Sequence, residues 1–188
     1  MKNLARLGLI FLLAVNLFTF GCAAKRICTV TKPCTTKLSN YDCVKIDRFT
    51  YEQSFREAKI TDAGDEVKAD KLRDMLEDRV QYHIYNLSLF EDVVRTEPPA
   101  NADKIVVLKG EITYMKRVTK AARVLVGAMA GRARADVDVH LVDFQTGEVI
   151  GAASIKGTST GGGIWAGGTE EAFDNAAQII ADFMKNSY

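Results

Sequence analysis

The chain has 188 residues, 47% of them hydrophobic, and its 25 Lys and Arg nearly balance its 24 Asp and Glu, for a net charge of +1. This length fits one domain behind a leader, since domains typically hold about 50–250 residues. A nucleic-acid-binding protein would show a basic stripe, so we expect no nucleic-acid partner.

The chain opens with the features of a secretory signal peptide. Lys2 and Arg6 precede an apolar run over residues 7–20, which is shorter than the ~20 residues a membrane-spanning helix needs. The run ends in FTFGC, which resembles the lipobox of bacterial lipoproteins. The resemblance implies cleavage after Gly21 and acylation of Cys22, which would make the membrane a partner through acyl chains such as palmitate. The alternative is an ordinary signal peptide, with Cys22 left unmodified.

The residue after the lipobox bears on which membrane would hold the protein. An Asp directly after the acylated cysteine resembles an inner-membrane retention signal, and here Ala23 follows instead. The resemblance therefore implies an outer-membrane lipoprotein that faces the periplasm. Residues 22–40 are rich in Lys, Thr and Cys and show no apolar period, so we expect a signal peptide at 1–21, a lipidated tether at 22–40 and one domain at 41–188.

All four cysteines lie in the first quarter of the chain. With Cys22 acylated, Cys28, Cys34 and Cys43 remain, and an oxidising compartment favours one disulfide among them. The sequence leaves the three pairings open. The spacings lack a Cys-x2–4-Cys pair and no histidine is near, so we expect no metal site.

From residue 41 the hydrophobic pattern predicts strands and helices in a definite order. The predicted strands cover 41–50, 91–96, 104–117, 134–143 and 149–158; amphipathic helices follow N-caps at Asp65 and Thr169. Gly147 suits a tight turn between the last two strands, which predicts a hairpin. The order predicts an α+β fold, with a mostly antiparallel sheet of about five strands and two amphipathic helices packed on one face.

Two predicted strands alternate clearly between apolar and polar residues. The apolar faces are expected to hold Val106, Leu108, Gly110, Ile112 and Tyr114 in one strand and Ala135, Val137, Val139 and Leu141 in the other. The opposite face of the second strand carries Asp136, Asp138 and His140. Such alternation is typical of an antiparallel sheet with one solvated face.

The most specific motifs lie between residues 109 and 168. They are KGEI at 109–112, RVLVG at 123–127, AGRA at 130–133, DVDV at 136–139, DFQTGEV at 143–149 and a glycine-rich loop at 161–168. In this order they resemble a family of uncharacterised bacterial lipoproteins, the domain of unknown function 4410, over residues 41–183. The element order is more distantly similar to the periplasmic domain of the curli secretion lipoprotein, which implies a related fold.

Small residues around Gly127 and Gly131 permit close backbone approach. They fit either the bent tip of a long hairpin or a surface for a partner chain, with polar anchors at Arg123, Arg132 and Arg134. Phosphate binding is a weaker alternative, because no Gly-Lys-Ser/Thr follows the glycines. Trp165, the only tryptophan, lies in the glycine-rich loop and would either anchor an interface or cover the core.

No catalytic motif is present in the sequence. It has no G-x-S-x-G and no H-E-x-x-H, and His83 and His140 lack nearby ligand partners. We therefore expect no enzymatic activity and no cofactor, and a binding or accessory factor in envelope assembly that takes a protein partner or forms a homo-oligomer. The alternatives are an oligomeric structural or export component of the outer membrane and, last, a hydrolase whose site is assembled from distant residues.

Overall fold

One mixed sheet, with helices packed against it, forms the framework of the computed structural model, which describes residues 26–59, 63–117, 132–160 and 168–188. The fold is α+β, as predicted. The strands are β1 (Arg26–Lys32), β2 (Cys43–Ile46), β3 (Thr50–Tyr51), β4 (Asp92–Val94), β5 (Ile105–Lys116), β6 (Arg134–Asp143) and β7 (Val149–Thr158). The helices are α1 (Gln53–Lys59), α2 (Ala63–Asn86) and α3 (Thr169–Lys185), and a 3₁₀ turn covers Leu38–Asn40.

The sheet contains more strands than predicted, and their directions are mixed. The order is β1-β7-β6-β5-β2-β4, and β3 pairs with the far end of β5. Strands β1, β7, β6 and β5 pair antiparallel with one another in that order, whereas β2 runs parallel to both β4 and β5, and β3 runs parallel to β5. The expectation of a mostly antiparallel sheet of about five strands is therefore corrected. Helix α2 links β2 to β4, and such a crossover returns the chain in its original direction.

The sheet also begins earlier than the predicted domain boundary at residue 41. Residues 26–32, expected to belong to a tether, form β1 and pair antiparallel with β7 from Arg26↔Gly157 to Lys32↔Ala152. The Thr35 amide donates to the Ile150 carbonyl (2.8 Å) and the Leu38 amide to the Ser187 carbonyl (3.0 Å). The segment is strand-forming because Ile27, Val30 and its threonines are β-branched.

The predicted hairpin is confirmed. Strands β6 and β7 pair antiparallel, and Gly147 adopts a φ of +72°, which glycine reaches without a steric penalty. Asp143 stabilises the turn, because its Oδ1 accepts hydrogen bonds from the Thr146 amide (2.7 Å) and hydroxyl (2.9 Å). The turn thus fixes the register in which the β6 residues face the core.

Alternate residues of the central strands form the core. The predicted inward residues of β6 are all fully buried, and they share one hydrophobic cluster with Leu76 and Val80 of α2 and Phe173 and Ile180 of α3. Tyr114 departs from the prediction, being 39% exposed. A register shift in β5 between residues 112 and 114 turns it to the outer face, as bulges do.

Helix α3 lies directly on β7. A Cβ added to Gly157 would stand 2.5 Å from both the Ala172 carbonyl oxygen and the Ala176 nitrogen, so glycine permits this close approach. Both helix starts differ by a few residues from the predicted N-caps. Asp65 lies inside the first turn of α2, and Gly168 is the N-cap of α3, one residue before Thr169.

Candidate functional site

Most of the predicted functional residues lie outside the described residues. These are Cys22, Arg123, Gly127, Gly131 and Trp165, and their roles stay predictions. Arg132 is described: it is half-buried and precedes β6 by two residues. It therefore marks where the chain enters the sheet from the small-residue segment.

The two predicted interface segments attach to the sheet at the same place. The Ala133 amide donates to the Ser159 hydroxyl and the Ser159 amide to the Ala133 carbonyl, both at 3.0 Å. One residue later, the Thr160 amide and hydroxyl donate to Oε2 of Glu171 at 3.1 and 3.0 Å. Residues 132 and 160 thus border the small-residue segment and the glycine-rich loop side by side.

Arg134, the third predicted polar anchor, is engaged within the sheet. Its guanidinium donates two hydrogen bonds to the Asp136 carboxylate and lies 5.0 Å from the centre of the Tyr114 ring. The hydrogen bonding of the guanidinium to the Asp136 carboxylate raises the pKa of Arg134. Bidentate pairing and cation–π contact together fix this arginine on the outer face of the sheet.

The three described cysteines carry free thiols. Cys28 is exposed on β1, Cys34 is half-buried, and Cys43 is buried in β2. Burial is the main cause that raises the pKa of both Cys28 and Cys43. Three strands separate β1 from β2 in the sheet, and neighbouring strands lie about 4.8 Å apart. This spacing separates Cys28 from Cys43 by more than the ~7 Å that a disulfide spans. A disulfide among the three cysteines stays a prediction.

A groove of about 680 Å³ opens between β1 and α3. It was not predicted from the sequence, because residues 26–32 were expected to belong to a tether. We define this β1 groove by Arg26, Cys28, Val30, Lys37, Ile179 and Phe183. Val30 is 50% exposed in it, and the Arg26 Nε donates to Oδ1 of Asn175 at 2.8 Å. An apolar floor with basic residues at its rim suits binding of another molecule rather than chemistry.

The polar clusters of the described residues join elements of the fold. Glu77, 1% exposed, accepts a 2.7 Å hydrogen bond from the Phe49 amide and pairs with Arg95. His83 Nε2 lies 2.9 Å from Oδ1 of Asp174, linking α2 to α3. Within the described parts of the chain, no three His, Cys, Asp or Glu side chains are grouped to bind a metal ion. No described helix has the length and apolar character to span a bilayer.

The fold is similar to that of a solved structure. A PelC dodecamer from Paraburkholderia phytofirmans is similar with a TM-score of 0.53 and 16% identity, over 84% of this chain and 97% of that chain. A substituted PelC dodecamer from the same organism has a TM-score of 0.47 and 16% identity, over 84% of this chain and 98% of that chain. At this identity the likeness shows the fold alone.

Comparison by sequence identifies the family. No curated protein matches the chain. The model of DUF4410, a domain of unknown function, matches residues 48–163, which is more than half of the 188 residues. The match includes β5 and β6, which carry the KGEI and DVDV motifs, and the β6–β7 turn with its TGEV motif. The chain therefore belongs to the DUF4410 family.

Proposed function

We propose that this protein is an envelope lipoprotein, anchored in the outer membrane through acyl chains on Cys22, that acts without catalysis as a homo-oligomeric accessory component. The observation that carries the proposal is the fold shared with a PelC dodecamer over 84% of the chain, in a sequence whose start resembles a signal peptide that ends in a lipobox. We expect an oligomer of anchored domains to act through contacts with neighbouring components of the envelope.

The exposed edge of the sheet supports assembly. Every residue of β1 is exposed or half-exposed, and β1 pairs only with β7 among the described strands. Unpaired edge strands readily contact other chains, and proteins usually protect them with proline or inward-pointing charges. Residues 27–31 contain neither proline nor charge, so the middle of this edge, between Arg26 and Lys32 at its ends, is open to a partner.

The polar clusters support binding rather than turnover. The buried carboxylate of Glu77 is held by Phe49 and Arg95, and Asp136 is held by Arg134. Glu77 borders a cleft of about 580 Å³, but the bonds to Phe49 and Arg95 occupy its carboxylate, and a catalytic base must be free to reach a proton of the substrate. Asp136 is paired with an arginine of its own strand. The β1 groove, with its apolar floor, is suited to receive another molecule.

Metabolic labelling with a palmitate analogue tests the anchor. We expect label on the wild-type protein and none on Cys22→Ala, with Cys28→Ala as the matched control that keeps its label. Three acyl chains at ~0.8 kcal/mol per buried methylene would retain the protein on membranes during a high-salt wash. Label that persists in Cys22→Ala would refute acylation at this residue.

Membrane fractionation tests the location. The wild-type protein should sediment with outer-membrane vesicles in a density gradient. The Ala23→Asp variant, which supplies the acidic residue expected to cause retention, should move to the inner-membrane fraction. Wild-type protein found mainly with the inner membrane would refute the outer-membrane assignment and leave the acylation result standing.

A further inference from the structure

The two edges of the sheet carry opposite charge. Among the described strands, β1 pairs only with β7 and β4 pairs only with β2, so these strands lie at opposite ends of the sheet. Arg26 and Lys37 line the groove, and Asp182 is the one acidic side chain among its described lining residues. Lys32, at the end of β1, adds a cation whose Nζ donates to the Val149 carbonyl. A surface of this sign attracts an acidic partner.

The β4 side is acidic. We define the acidic edge by the five carboxylates of Asp42, Asp78, Glu91, Asp92 and Glu97. The Glu91 and Asp92 amides both donate to the Asp42 carbonyl, at 2.8 and 3.4 Å, which holds three of these residues together. The basic residues that contact this edge are Lys45, 3.7 Å from Glu97, Arg95, paired with Asp78, and Lys104, whose carbonyl accepts from the Asp42 amide at 2.9 Å. The carboxylates outnumber these cations among the described residues, so the edge has a negative balance.

Exposed tyrosines stand beside the acidic edge. The Gln81 side chain donates to the Val93 carbonyl of β4 at 3.0 Å, which places this side of α2 next to β4. Tyr85 follows Gln81 by one helical turn and therefore lies on the same side. It is 67% exposed, and Tyr82 is 58% exposed. Tyrosine is a common anchor residue in protein interfaces.

We propose that the acidic edge of one copy docks into the β1 groove of the next copy, with Tyr85 entering the apolar floor near Val30 and the carboxylates facing the basic rim. This inference rests on the homo-oligomer of the proposed function and assigns its interface. Strand β1 runs antiparallel to β4 within the sheet. Copies set side by side in one orientation therefore place β1 antiparallel to the β4 of their neighbour.

The contact is head-to-tail, because it joins two different surfaces of the same chain. Heterologous contacts of this kind form rings when the rotation between copies closes. Each copy offers one groove and one acidic edge, so a closed ring leaves neither surface exposed. A two-fold pairing of β1 with β1 would instead bring the basic rims of both copies together, which like charges disfavour.

Sedimentation velocity of the detergent-extracted, full-length protein tests this interface with three variants. Val30→Lys places a charge in the groove, and Tyr85→Lys removes the aromatic anchor and adds a positive charge beside the acidic edge. Phe144→Lys is the control, because Phe144 is also 50% exposed but follows β6 in the middle of the sheet. We expect an oligomer for wild type and Phe144→Lys and a monomer for the other two, all with unchanged circular dichroism.

Mixing the two monomeric variants gives the sharpest readout. Val30→Lys keeps an intact acidic edge and Tyr85→Lys keeps an intact groove, so the mixture has one functional contact and should form a 1:1 dimer that grows no further. Dimer formation in the mixture and in neither variant alone would support a head-to-tail contact between these two surfaces.

The other outcomes overturn the inference in distinguishable ways. A wild-type oligomer that survives Val30→Lys excludes the groove, and one that survives Tyr85→Lys excludes the acidic edge, while the proposed homo-oligomer stands in both cases. Dissociation by Phe144→Lys shows that charge at any surface position is sufficient, which removes the evidence for this interface. A wild-type protein that is monomeric at every concentration overturns the homo-oligomer and the interface together.

Discussion

The Tyr41 hydroxyl donates a 2.9 Å hydrogen bond to Oδ2 of Asp143, which ties the segment before β2 to the last residue of β6. Burial, followed by this bond, raises the pKa of Tyr41 to about 12. The Thr146 amide, followed by the Tyr41 hydroxyl, lowers the pKa of Asp143. One carboxylate therefore supports both the β6–β7 turn and the packing of the N-terminal segment.

The stability of the fold should fall in acid partly through Asp143. Because its pKa in the folded chain lies below the ordinary value of 3.8, the ionised carboxylate contributes stability above pH 3.8, and this contribution is lost as the pH falls further. We expect the melting temperature of wild type to drop more steeply than that of Asp143→Asn between about pH 5 and 3. Parallel slopes in thermal scans would contradict this coupling.

The pair of Arg95 and Glu77 should show strong coupling. Arg95→Ala leaves the Glu77 carboxylate, 1% exposed, with the Phe49 amide as its remaining described partner, and we expect a cost of about 1–3 kcal/mol in free energy of unfolding. In a Glu77→Gln background the same substitution should cost less, because no buried charge is left uncompensated. Urea denaturation of the four proteins measures the difference, and equal costs in both backgrounds would show that the pair is not coupled.

Gly157→Ala should loosen the contact of α3 with β7. The new methyl group would meet helix backbone at 2.5 Å, so the helix must shift, and we expect a loss of about 1–3 kcal/mol of stability. Ser154→Ala, on the opposite face of the same strand, is the control and should change stability by less than about 0.5 kcal/mol. Denaturant midpoints of both variants test this, and an unchanged midpoint for Gly157→Ala would mean that α3 packs further from the sheet.

Cys43 should be unreactive in the folded protein. It is 1% exposed, and burial raises the pKa of its thiol, so little of the nucleophilic thiolate is available. In a Cys28→Ser/Cys34→Ser background, we expect a maleimide to label Cys43 only after unfolding. Rapid labelling of the native protein would indicate that β2 opens readily. In a separate measurement, mass spectrometry of the untreated wild-type protein would detect any disulfide among its cysteines.

Local patterns in the sequence were sufficient to predict the centre of the sheet. The alternation of residues 134–143 and the turn glycine at 147 specify a hairpin, and the structure confirms both. Each depends on contacts between residues close in the chain. The parallel pairing of β2 with β4 and β5 depends instead on contacts between strands that are far apart in the chain, with α2 between them. The order strand, helix, strand is nevertheless a signal for such a parallel crossover.

The edge of the sheet was harder to predict. The segment RICTVTK forms β1, but its residues do not alternate between an apolar and a polar face. Helix α3 covers β1 only in part, so the strand needs no continuous apolar face. Its threonines are also common in flexible tethers. The β1 groove was missed for the same reason, since it needs both β1 and the end of α3. Tyr114 was assigned to the wrong face because a bulge in β5 changes the alternation after residue 112.

The start of β1 at Arg26 has a mechanical consequence. Only three residues separate it from Cys22, and four steps along the chain reach at most about 14 Å. An acylated Cys22 would therefore keep the folded domain within this distance of the lipid surface. Copies confined in this way would lie in one plane and in a similar orientation. Their local concentration would be higher, and lateral closure into a ring would be favoured over stacking.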